Sequence, residues 1–159
     1  MRLPPNKRIN ESAIKAWRLF ATLIAVIPLA VTVALFILAY YFDFSVWIGI
    51  VALLISLMES IITIIVIPRL RWNRWRYQIF DEEIYIQHGI LIVSQTLIPM
   101  IRVQHVDTKQ GPILKRYGLA SLTIYTAATT HEIPALSLEE ASELRDLISE
   151  RARVEQDDV

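Results

Sequence analysis

The side chains that could do chemistry are few, and their spacing argues against most of it. His88, His105 and His131 are the only histidines. Two or three of them converging on a sheet could hold zinc. No carboxylate stands four residues from any of them, and the chain has no cysteine, so strand histidines at or near the surface are expected instead. Ser121, Asp107 and His131 have the residue types of a nucleophile, an orienting acid and a base. Ser121 lies in Ala120-Ser121-Leu122, without the glycine-flanked elbow that exposes a catalytic serine. The missing cysteines also remove disulfides, thiolate metal sites and cysteine nucleophiles. The four glycines, Gly49, Gly89, Gly111 and Gly118, have no phosphate-loop spacing. A protein that is not an enzyme, with no metal and no cofactor, is expected.

The one acidic group in an unusual setting is Glu59. It interrupts an apolar run from Phe44 to Ile67, which follows an uncharged run from Leu19 to Phe42. Each run exceeds the roughly 20 helical residues that cross a hydrocarbon core of about 30 Å. Asp43 alone separates them, so the two helices must turn back as an antiparallel hairpin in contact. A cleaved signal peptide is the competing reading of the first run. Its length is too great, and Ala39-Tyr40-Tyr41-Phe42 offers no small-residue cleavage site. A lone carboxylate in hydrocarbon costs several kcal/mol, so Glu59 should be protonated or paired. Pro28 lacks a backbone donor and frees the carbonyl of Ile24. Antiparallel pairing sets Glu59 at about the depth of Val26, which would bring carboxyl and carbonyl together. Ser56, Ser60 and Thr63 share its stripe and are contact residues for helices in lipid. The main expectation for Glu59 is a structural hydrogen bond to a neighbouring helix. The alternative is a proton or ion pathway in a transporter or export system, which would need further subunits because two helices enclose no path.

The flanks set the orientation. Arg2, Lys7, Arg8, Lys15 and Arg18 precede the first run, and Arg69, Arg71, Arg74 and Arg76 follow the second. The loop between the runs has no basic residue, so both termini are expected in the cytoplasm. Trp17, Trp72 and Trp75 fall at that boundary, while Trp47, Tyr40 and Tyr41 fall at the other, as amphipathic rings prefer. The four junction arginines either serve as topology signals or pair with anionic lipid head groups, at about 1 kcal/mol each.

Beyond residue 75 the apolar period changes from helical to alternating. Trp75, Tyr77 and Ile79, the turn Asp81-Glu82, and Ile84, Ile86 and His88 read as a hairpin. Ile90 to Val93 with Thr96 to Ile98 read as a third strand, and Ile101 to Val106 as a fourth. Gly111-Pro112 starts a helical turn that Gly118 closes. Leu119 to Ala127 and His131 to Leu136 follow as strands. A last helix starts at Ser137, with Glu140 completing a capping box and Leu138, Ala141, Leu144 and Ile148 forming its apolar stripe. Four segments result: 1–18, cytoplasmic; 19–68, the membrane hairpin; 69–153, a cytoplasmic domain; and 154–159, an acidic tail containing Asp157-Asp158. Arg102, Lys109, Lys115 and Arg116 form a candidate patch for anionic lipid or an acidic partner. The formal net charge is zero, so nothing points to nucleic acid.

Several short stretches carry a family resemblance. They are Arg76-Tyr77-Gln78-Ile79, Ile98 to Gln104, Gly111-Pro112-Ile113, Arg116-Tyr117-Gly118-Leu119 and Ile124-Tyr125-Thr126-Ala127. They resemble the bacterial pleckstrin-homology-like domain. Two membrane helices ahead of one such domain resemble the YdbS-like membrane proteins of bacilli. The resemblance covers nearly the whole chain, and its motifs are structural. It implies a membrane α-helical hairpin followed by an antiparallel split β-barrel with a C-terminal helix. It also implies a larger, YdbT-like partner with several spans and repeated domains of the same type, and a role in envelope protection against membrane-active antimicrobial peptides. It leaves assembly with further copies of the chain open.

Overall fold

The computed structural model describes residues 5–43 and 45–157. Arg2 of the basic flank, Phe44 at the start of the second apolar run and Asp158 of the acidic tail lie outside them. The chain divides into two compact units: Trp17–Arg69 forms one, and the residues up to Ala16 join those from Leu70 onward in the other.

In the first unit, α1 (Ser12–Tyr41) and α2 (Val46–Ile61) are connected through Asp43, whose φ of 52° permits the tight reversal. After α2 the helix continues through a π-helical turn, Ile62–Val66, into α3 (Ile67–Arg74). Ile67 N–H donates to Ile62 O in the wide turn. Pro68 explains the irregularity, because it cannot donate to the carbonyl four residues back and the helix widens just before it. Ser12–Tyr41 and the continuous helix Val46–Arg74 are both long and apolar enough to cross a membrane.

The hairpin packs along small residues. Ala25, Thr32 and Ala39 are buried on α1, and Gly49 and Ser56 on α2. Both series repeat every seven residues, which keeps one seam facing the partner helix. With no hydrophobic drive between helices in lipid, small side chains matter because they let backbones approach closely.

The second unit holds two antiparallel sheets. The first has the order β1 (Lys7–Arg8), β2 (Arg76–Ile79), β3 (Glu83–His88), β4 (Ser94–Pro99). The second has the order β5 (Val103–Lys109), β6 (Leu119–Thr126), β7 (Thr130–Ser137). Between β5 and β6 lies α4 (Pro112–Arg116), and α5 (Leu138–Asp157) ends the described chain. Alternating apolar positions supply the core, with Tyr77, Ile84, Ile86, Leu122, Ile124 and Ile133 fully buried. Tyr85, Gln87, Ser121 and Thr123 are buried too, so β3 and much of β6 are covered on both faces. Ala141, Leu144, Ile148 and Ala152 of α5 bury against the second sheet and the 3-10 turn Met100–Arg102. Two antiparallel sheets with a C-terminal helix match the fold that the resemblance implied.

Several details depart from expectation. The segment before the first membrane helix is not merely a basic flank. Lys7 pairs with Tyr77 and Arg8 with Arg76, adding an edge strand to the domain. Asn10 N–H donates to Ala135 O at 3.1 Å, and Trp72 Nε1 donates to Ile9 O at 3.1 Å. Ile90 to Val93 is no strand but the tip of the β3–β4 hairpin, because Gly89 at φ 111° breaks the extended run. Ile101 lies in the 3-10 turn, not in the strand that follows. Ser137 does cap α5, accepting from Glu140 N–H at 3.2 Å. The Glu140 carboxylate completes no capping box, since it accepts from the Tyr77 hydroxyl instead. Leu138 is half exposed, and Ala152 extends the buried stripe in its place. The helix runs on to Asp157 because no glycine or proline stops it at 153.

Candidate functional site

The candidate residues fall in both units. In the hairpin, Ser56 meets Thr32 across the seam, hydroxyl to hydroxyl at 3.5 Å. Each hydroxyl also donates to its own helix, Thr32 to Pro28 O at 2.9 Å and Ser56 to Leu53 O at 3.1 Å. Thr63 donates to Glu59 O at 2.9 Å. Such back-bonding satisfies hydroxyls where water is absent. Ser60 is half-buried, and its hydroxyl is without a hydrogen-bond partner.

Glu59 behaves differently. Ser56, Ser60 and Thr63 follow the seam, whereas Glu59 is offset from Ser60 by about 100° around the helix. Its side chain is exposed on the outside of the hairpin. Among the described residues its carboxylate has no hydrogen bond or ion pair. The expected approach to the carbonyl freed by Pro28 is therefore not made, because Pro28 is half-buried while Glu59 looks away from α1.

In the domain, the three histidines do not come together at one site, although His88 and His131 share a cavity. His88 stacks on Trp75 with ring centroids 5.2 Å apart, and His105 stacks on Tyr125 at 4.1 Å. His131 and His88 line one small cavity of about 130 Å³, together with Trp75, Ile86, Thr96, Thr130 and Glu132. Burial and, secondarily, the like charge of His88 hold His131 below the ordinary imidazole range. Among the described residues no three His, Cys, Asp or Glu side chains are grouped to hold a metal ion. Ser121 is buried opposite Lys109, and Asp107 pairs with Thr123, so Ser121, Asp107 and His131 do not assemble as a triad.

The proposed basic patch also divides. Arg102 precedes β5, while Lys109 ends it, a separation of roughly 20 Å along an extended strand. Lys109 donates to the Tyr125 hydroxyl at 2.7 Å, and this bond raises its pKa. Lys115 and Arg116 are exposed on α4. The junction arginines differ among themselves. Arg69 and Arg74 are exposed, Arg76 opens β2 as a half-buried residue, and Arg71 lies within electrostatic reach of Glu132.

Sequence reasoning missed one concave feature. An open cleft of about 660 Å³ runs between β4 and the β6–β7 turn. Leu97 and Ile101 line it half-exposed, with Arg102, Gln104, Thr129 and His131 supplying polar groups. β4 is the last strand of its sheet, so its outer edge is unpaired among the described strands. No local signal could have found the cleft, because its walls come from strands whose adjacency only the sheet order defines.

A family model described as Bacterial PH domain matches residues 18–152. The chain is 48% identical over 159 residues to the UPF0699 transmembrane protein YdbS of Bacillus subtilis (strain 168), covering 100% of both chains. It is 29% identical over 83 residues to the UPF0699 transmembrane protein YdbT of the same organism, covering 50% of this chain and 17% of that protein. No solved structure matches the chain.

Proposed function

We propose, from the premise that the chain belongs to the bacterial PH domain family, that it is a non-catalytic membrane subunit. Its hairpin and domain assemble with a larger membrane protein that carries a segment related to this chain, as the YdbT relative does over 83 residues. Several spans and repeated domains in that partner are what the family resemblance implies. The observation that carries this reading is Glu59. A carboxyl on the outer face of a two-helix hairpin, with no partner inside it, is costly against lipid. A neighbouring helix from another chain removes that cost by accepting a hydrogen bond. The cleft beside the free edge of β4 supports the same reading, because an unpaired strand edge with apolar walls suits an extended segment of a partner. The β1–β2 pairing supports a topology with both termini on one side of the membrane, since residues before the first span and after the second share a sheet. The basic flanks support the cytoplasm as that side. Envelope protection against membrane-active antimicrobial peptides is the physiological role we assign to the assembly, on the family resemblance alone.

Purification of the tagged full-length chain from native membranes tests the proposal. A stoichiometric multi-spanning partner is expected, and recovery of the chain alone would overturn it. Glu59→Gln keeps a donor of nearly the same shape and should preserve assembly. Glu59→Leu should weaken it by about 0.6–2 kcal/mol, the range for interhelical hydrogen bonds in lipid. Equal disruption by Gln and Leu would favour the transport reading, in which the ionisable form of Glu59 is used.

A further inference from the structure

The β3–β4 tip has no use in the fold or in the assembly described above. Leu91 is 96% exposed and Ile92 84% exposed. These are adjacent large aliphatic side chains at the point of a hairpin, where polar turn residues are usual. The tip is a built turn. Gly89 holds φ at 111°, and a Cβ there would stand 1.9 Å from the Ile92 carbonyl oxygen. From Ile84 to Ile101 the sequence has no Asp, Glu, Lys or Arg, so no charge opposes leaving water along this hairpin.

Strand register says which end of the sheet the tip occupies. Arg76 pairs with Gln87, and Arg8 pairs with Arg76. The chain leaves β1 for the first span just after Arg8, and it enters β2 from the second span at Arg76. Both connections to the membrane helices therefore leave from the end of the sheet at which β3 runs out into Gly89 and Leu91. The β2–β3 turn with Asp81 and Glu82 marks the opposite end. The lengths are compatible. Four residues from Gln87 to Leu91 reach about 13 Å at most if extended. Helix α3, Ile67–Arg74, rises about 10 Å.

We infer that the Leu91-Ile92 tip inserts into the lipid bilayer surface as a third membrane contact, beside the two spans. The exposed aliphatic pair enters the boundary between head groups and acyl chains. Arg8, Arg74 and Arg76, which belong to the same end of the domain, face the anionic head groups. Apolar insertion beside basic residues is the chemistry of interfacial membrane anchoring. The consequence is a domain fixed in orientation on the bilayer, with the β2–β3 end turned to water.

The full-length chain has no native cysteine, so a single label can be placed cleanly. Ile92→Cys and, as reference, Glu82→Cys would carry a nitroxide, with the protein reconstituted in vesicles of phosphatidylglycerol and phosphatidylcholine. Collision with oxygen, which concentrates in lipid, is compared with collision with a nickel chelate, which stays in water. The label at 92 should favour oxygen and the label at 82 nickel. Adding Leu91→Ser to the 92-labelled chain should shift its label toward nickel. A 92 label as open to nickel as the 82 label would overturn the inference. So would a 92 label shielded from both reagents, which would place the tip in a protein contact. Both positions are exposed, so neither label disturbs the core.

Discussion

Asn10 N–H donates to the carbonyl of Ala135 at 3.1 Å, and Ala135 holds a left-handed φ of 53°. The residue that ties the N-terminal arm to the domain thus sits at a backbone irregularity of β7, where the pairing with β6 shifts register between Ala120 and Leu122. The left-handed conformation turns the carbonyl out of the ladder and toward the arm.

Left-handed backbone costs a residue with a β-carbon about 1–2 kcal/mol. Ala135→Gly relieves that strain. It also loses a buried methyl group, worth about 0.8 kcal/mol, and adds about 0.5–1 kcal/mol of chain entropy cost. The terms nearly cancel, so the change in unfolding free energy should stay within about 1 kcal/mol of zero. Ala120→Gly, equally buried but without a left-handed φ, has no strain to relieve and should lose about 1–2 kcal/mol. Denaturant unfolding of the detergent-solubilised chain measures both. Equal losses would mean that the strain at Ala135 is absent.

Tyr77 on β2 donates to the Glu140 carboxylate in the first turn of α5, joining elements 63 residues apart. Burial first, and then this bond and charge, raise the pKa of the fully buried phenol and keep it neutral as a donor. Tyr77→Phe keeps the ring and removes only the bond, so it should cost about 1.5–3 kcal/mol, the range for hydrogen bonds to charged groups. Glu140→Gln still offers an amide oxygen and should cost less. Thermal unfolding of the two variants gives the order, and a larger loss for Gln would show that the carboxylate serves another partner.

His131 predicts acid sensitivity of defined sign. Its folded pKa lies below the ordinary value, first through burial and then through His88, so the unfolded chain binds the proton more readily. The stability that His131 contributes is fully present above the unfolded pKa of about 6.5. It declines as pH falls from there through the folded pKa, and it changes no further below that. Midpoints of thermal unfolding, followed downward from about pH 7.5, should fall less steeply in His131→Gln than in the parent. The Gln side chain can keep a bond to Thr129, which His131 meets through Nε2 at 2.8 Å. Parallel curves for variant and parent would assign the acid sensitivity to other groups. Thr130, Glu132, Trp75 and His88 also face this cavity, and His88→Gln should flatten the curve in part.

The sequence by itself determined what depends on composition and short-range period. Two apolar runs of spanning length, charged only at Glu59, a single Asp43 between them, and alternating apolar positions from Tyr77 onward were sufficient for a helical hairpin, a set of antiparallel strands and a final amphipathic helix. Each follows from the chain's own periodicity against lipid or core. Only tertiary structure decided where the ambiguous pieces went. Ile90 to Val93 is as apolar as any strand, yet Gly89 turns it into an exposed tip, because burial depends on what lies across from a residue and not on its hydropathy. Lys7 and Arg8 carry no strand signal and become an edge strand because β2 offers an open ladder. Glu59 shares a stripe with Ser56, Ser60 and Thr63 in a linear reading, but small residues at seven-residue spacing chose the seam and left the carboxyl outside it. The cleft beside β4 arises from sheet order, a property of long-range pairing that no local window contains, whereas Arg102 and Lys109 are held apart by the length of β5 itself.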